Sequence, residues 1–142
     1  MKFTPEIYRA AAVEHASAAC SLYSLGRYVL SHYVAGLAVE CIFRAYKCRI
    51  DPVFDEHHNL NQLAKGAHFY DVVQGRTREV QAALDVVVAL WVNYHRFRSE
   101  KALRAFLKER KLDRGIRGDF VKENSRRIVD AAQAVVLLGV TQ

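Results

Sequence analysis

Two kinds of side chain in this sequence carry chemistry when they stand together: a histidine able to exchange a proton near neutral pH, and arginines able to hold a phosphate. They meet at His95, Arg96 and Arg98. A histidine so placed can take a proton from a ribose 2'-hydroxyl while an arginine stabilises the charge of a pentavalent phosphorane, the chemistry of metal-independent RNA cleavage. Used without cleavage, the same trio is a phosphate-binding cluster. The charge that follows strengthens that reading: residues 96 to 117 hold nine Lys or Arg against Glu100, Glu109 and Asp113, which accounts for the whole formal net charge of +6. Such a segment attracts phosphates, so RNA, DNA or a nucleotide is the natural partner, with Lys101 and Arg104 beside His95, Arg96 and Arg98. A solvated helix face is the plain alternative.

Other clusters carry less. Asp55-Glu56-His57-His58 holds metal-type ligands, but they are consecutive in a loop and lack the helical frame of a zinc site, so neither a metal nor another cofactor is read. His58 instead opens the next helix as a cap, and it stays with Glu40 among the ligand-contact candidates. Glu40 stands four residues before Arg44, the favourable order for a helical ion pair. Ser21, Ser24 and Cys41 have no base at a readable spacing, so nucleophilic catalysis has no support.

These groups are positioned by an all-α chain. Residues 29 to 48 are apolar on nearly every side at helical spacing, which makes them the central helix of a bundle. Its internal Glu, Arg and His weigh against a membrane span. Thr4-Pro5-Glu6 starts a preceding helix that runs to Leu25, with Ile7, Ala11, Ala18, Leu22 and Leu25 facing inward, and Gly26 turns it into an antiparallel hairpin with the central helix. Residues 49 to 59 read as loop, 59 to 65 as a short helix, and Gly66 and Gly75 bracket a second irregular stretch. The period returns from Arg76 to Arg98, with Trp91 at the centre of its apolar stripe and expected against Leu37 and Cys41. Ser99 caps a short helix with Leu103, Phe106 and Leu107 inward, and Asp119 to Leu138 forms the last helix. No strand pattern appears. The expected fold is an up-down helical bundle in one domain, residues 1 to 142.

Hydrophobic residues at 51% and charged residues at 25% are globular values. Three cysteines without metal-site spacing read as reduced thiols, and an N-terminus with acids and a proline lacks an export signal, so the expected location is the cytoplasm. The central helix carries a second apolar stripe through Val39, Phe43 and Tyr46. Its exposure predicts a homodimer.

A hairpin whose second helix reads HYVAGLAVECIFRAYK, then a loop, HNLNQL, and a long helix ending WVNYHRFRS resembles the HEPN family of small helical nucleotide- and RNA-associated domains. The resemblance spans most of residues 5 to 138. It places Ala35, Gly36, Ala38, Glu40 and Arg44 in the family's second helix and Arg96-Phe97 at the family's arginine-aromatic helix end. It implies an accessory domain that binds RNA or a nucleotide, within a defence or toxin-antitoxin system, often as a homodimer, or as partner to a nucleotidyltransferase. The enzyme-class alternative is a ribonuclease, whose family hallmark is an arginine followed by histidine after four to six residues. Arg27 with His32 and Arg9 with His15 fit that spacing, but both lie early in the chain. At the expected place His95 precedes its arginines, the order of the branch that binds rather than cuts.

Overall fold

The computed structural model describes residues 3–51, 59–92, 95 and 99–142. Seven helices and no strand are found among them: α1 Pro5–Ser24, α2 Tyr28–Ile50, α3 Leu60–Gly66, α4 Phe69–Val72, α5 Thr77–Leu90, α6 Glu100–Glu109 and α7 Phe120–Val140. Local chemistry fixes most of the starts. Thr4, Asn59, Ser99 and Asp119 each accept a hydrogen bond from a backbone N–H of the first turn they precede, satisfying donors that a helix start leaves open. Gly26, at φ +77°, makes the tight turn between α1 and α2, a conformation that costs glycine little.

α2 is the axis of the bundle, buried from Ser31 to Cys48 except along a half-buried strip through Tyr33, Leu37, Arg44 and Lys47. α1 packs along one flank and α7 along another. Side-chain bonds to backbone carbonyls stitch these three together: Ser31 Oγ donates to Ala19 (2.8 Å), Ser125 Oγ to Tyr28 (2.9 Å), Tyr46 Oη to Gly139 and Gln133 Nε2 to Ala16. Each such bond adds about 0.5–1.5 kcal/mol net. α1 meets α2 through Ala12, Ala16 and Ala19, not through the larger residues expected to face inward: Ile7 is 41% and Leu25 75% exposed. A helix approached closely enough for Ser31 to reach the Ala19 carbonyl has room for alanines only on that side.

Two further expectations change. The third long helix does not run to Arg98 but stops at Leu90, and Trp91 is extended (φ −125°, ψ 136°). Its last carbonyls are taken by side chains from elsewhere, Ala89 by Arg110 (2.9 Å) and Leu90 by His32 (2.5 Å). Trp91 is buried against α2 as expected, one turn earlier than the Leu37–Cys41 stretch: its Nε1 donates to the Tyr33 carbonyl (2.9 Å) and its ring lies on Gly36.

The second correction concerns the homodimer surface on α2. Val39, Phe43 and Tyr46 are buried within the protomer. Phe69 of α4 packs on two of them, its ring 4.9 Å from Phe43 and 5.6 Å from Tyr46. The short helix inside the Gly66–Gly75 stretch therefore closes the stripe, and these three residues are not available to a second chain.

A Cβ at position 36 would overlap the Trp91 indole. Gly36→Ala is expected to cost about 1–3 kcal/mol by overpacking, and Trp91→Ala about 3–5 kcal/mol by cavity formation. Because each change relieves the other, urea denaturation of the double variant is expected to show a loss smaller than the sum by about 1 kcal/mol or more. Strict additivity would place the ring elsewhere.

Candidate functional site

Of the expected site residues, His95 and Glu40 lie in the core, whereas Lys101 and Arg104 lie on α6. His95 is buried, its Nδ1 accepting from the Val92 N–H (3.3 Å) and its ring edge-on to His32 (centroids 5.3 Å apart) and to Phe106 (4.6 Å). It joins the segment after α5 to α2 and α6, as a core residue. Glu40 is buried as well and pairs with Arg44 at 3.4 Å, the intrahelical pair its spacing predicts. Arg96, Arg98 and His58, with the rest of the Asp55–His58 run, lie outside the described residues.

The two arginine-histidine matches do not form a cleavage pair. His32 is fully buried with Nε2–H donating to Leu90, and burial holds its pKa down to about 4 although that hydrogen bond pushes the other way. It is a neutral clamp on the end of α5. Arg9 donates to the Val140 carbonyl. His15, six residues further along α1, points about 120° away around the helix.

The basic segment is what remains at the surface. Between residues 99 and 117 seven cations stand against three acids, a net of +4. The amphipathic α6 buries Leu103, Phe106 and Leu107 and turns its charges outward. Two of the seven are bonded to other elements, and Lys108 Nζ lies over the Phe120 ring (5.8 Å). Arg104 bonds Glu100 and Asp119 (3.2 Å each) and lies over the Phe120 ring, while the same Asp119 carboxylate caps α7. Arg110 stacks on Phe106 (4.3 Å) as it reaches the Ala89 carbonyl. Lys101, Lys108, Lys111, Arg114 and Arg117 are exposed. The turn that carries the last three is held by Asn124 of α7, whose amide donates to the Leu112 and Phe120 carbonyls (2.9 Å each). That anchoring role was not readable from the sequence, where Asn124 is one position of the helix expected from Asp119 to Leu138.

The arrangement is thus a cationic ridge on a braced support, with point charges spaced along one helix and a turn. It presents donors for phosphate oxygens. Of the described histidines, none belongs to the ridge: His32 and His95 are buried, His15 sits on α1 and His68 precedes α4. Among the described residues no helix is long and apolar enough to cross a membrane. Comparison with family models, with curated proteins and with solved structures finds no match.

The buried His32 gives a pH signature. Folded, it stays neutral to about pH 4, whereas in the unfolded chain it takes up a proton near 6.5. Its contribution is full above pH 6.5 and is lost as pH falls towards 4, by about 3 kcal/mol over that window. His32→Gln is expected to be the less stable protein at pH 7, with the gap to wild type narrowing by pH 4.5 in urea titrations. A gap that does not change with pH would remove His32 from the account.

Proposed function

We propose that the chain is a HEPN-like accessory domain that binds RNA through the ridge formed by α6 and the turn after it. The observation that carries this reading is the exposed row Lys101, Lys108, Lys111, Arg114 and Arg117, left over after Arg104 and Arg110 have been spent on bracing. Five cations on one ridge favour a polyanion over a single nucleotide, since each phosphate neutralised releases counterions and adds to affinity. The HEPN assignment rests on the sequence resemblance; the fold adds only that the chain is all-helical, and the helix expected to end in WVNYHRFRS stops at Leu90.

Binding is favoured over cleavage because His95, the general base that a ribonuclease reading needs, is enclosed with its Nδ1 engaged by the Val92 amide. None of the described histidines stands on the ridge to act as a general base. Of the expected ligand contacts this reading keeps Lys101, gives up the buried His95 and Glu40 and the bracing Arg104, and adds Lys108, Lys111, Arg114 and Arg117.

Charge reversal tests this at exposed positions of the ridge, of which Lys108 also lies over the Phe120 ring (5.8 Å). Lys101→Glu, Lys108→Glu and Arg114→Glu together are expected to weaken binding of a labelled single-stranded RNA. They should also flatten the log–log salt dependence by about 0.7 for each phosphate that is no longer neutralised. Affinity and slope equal to wild type would overturn the ridge as the binding surface. Incubation of wild type with the same RNA in EDTA, with cleavage appearing and disappearing in His95→Ala, would overturn the choice of binding over cutting.

A further inference from the structure

A small hollow opens at the seam between α5 and α7, beside the turn that carries Lys111, Arg114 and Arg117. Val86, Ala89 and Leu90 from the end of α5 line it, with Leu112 from the turn and Asn124 and Arg127 from α7, and it measures about 110 Å³. Four of these six are aliphatic. Asn124 is fully buried. Its Nδ2 donates to the Leu112 and Phe120 carbonyls, and two carbonyl acceptors at one end of the amide fix which end is oxygen. Among the described residues that oxygen, Oδ1, has no hydrogen-bond partner. Buried acceptors are nearly always met. One left over on a residue that lines a cavity marks a place for a donor the protein does not supply.

We infer that the hollow takes one pyrimidine base of the strand whose phosphates lie on the ridge, an inference that rests on the RNA reading and deepens it. Size sets the ring. An apolar cavity of about 150 Å³ holds a benzene, so the smaller hollow, open at one side, admits one six-membered ring and not a fused pair. The acceptor sets the edge. With both Nδ2 hydrogens committed, Asn124 can only accept, and a pyrimidine offers it a donor at uracil N3 or cytosine N4. Position sets the source. In the chain Leu112 stands next to Lys111 and two residues before Arg114, with Cα atoms at most about 7.6 Å apart, so a base entering beside Leu112 keeps its phosphate within reach of ridge cations. Arg127 is exposed at the same wall, its Nε 3.7 Å from Glu123, and its guanidinium can lie over the ring face. Phosphate contacts carry no sequence information; the hollow adds a preference that the ridge alone does not have.

Fluorescence anisotropy of labelled strands of equal length, titrated with the full chain at several salt concentrations, tests this. Oligouridine is expected to bind about tenfold more tightly than an abasic strand with the same phosphates, and than oligo(3-methyluridine), which lacks the N3 donor. All three should share one log–log salt slope. Asn124→Ala would release the turn as well, so the protein is changed instead at Val86→Phe, which puts a ring into the hollow from a half-buried position on α5. That variant should bind oligouridine no better than the abasic strand, with the salt slope and helix content of wild type. Equal affinity for oligouridine and the abasic strand at an undiminished slope overturns the hollow and leaves the ridge standing. Oligoadenosine or oligo(3-methyluridine) bound as tightly as oligouridine, or a Val86→Phe protein that keeps the preference, overturns it too. A wild type that binds no strand, or binding untouched by the ridge charge reversal, overturns the RNA reading and this inference with it.

Discussion

The structure depends on how α5 ends. A helix C-terminus leaves carbonyls without partners; at the buried Leu90 the partner must come from the protein, while the exposed Ala89 carbonyl takes a side chain where water would also serve. Here a histidine from α2 and an arginine from the end of α6 meet them, at Leu90 and Ala89. Those two bonds tie three separate parts of the chain to one point, and they release the backbone to place Trp91 on Gly36. Moving α5 by one turn would lose both carbonyl partners and drive the indole off the only residue of α2 that admits it there.

The ridge inherits its position from that point. Arg110 carries a positive charge to the Ala89 carbonyl and lies flat on Phe106, so the end of α6 is fixed to the end of α5. Arg104 fixes the middle of α6 to the cap of α7 through one carboxylate shared by a guanidinium and two backbone amides. An exposed ion pair of this sort adds little by itself. Its geometry, with the Phe120 ring beneath the guanidinium, orients the helix so that Lys101 and Lys108 face solvent.

What could be read from the sequence was whatever is local or periodic. Thr4, Ser99 and Asp119 announce helix starts because a cap acts within three residues, and α6 and α7 show their inward faces because large apolar residues repeat at 3.6. The end of α5 was not legible, since its partners lie 58 and 21 residues away. The inner face of α1 misled because it is built of alanine, which periodicity weighs below Ile7 and Leu25. α4 hid in a stretch too short to show a period, and with it went the cover over Phe43. The charge of the site was plain from composition along the chain, whereas the withdrawal of His95 into the core depends on a helix ending eight residues earlier than its apolar pattern suggested.

Trp91 is the one tryptophan of the chain, and it sits at the seam where α5 docks on α2. Its indole is shielded and hydrogen-bonded to the Tyr33 carbonyl only when that seam is closed. The protein therefore contains its own optical reporter: the fluorescence of a single residue reads the closing of a contact between positions 36 and 91. Circular dichroism reads the helices irrespective of how they pack. Comparing the two signals as the chain refolds separates the formation of helices from their assembly, with no label added.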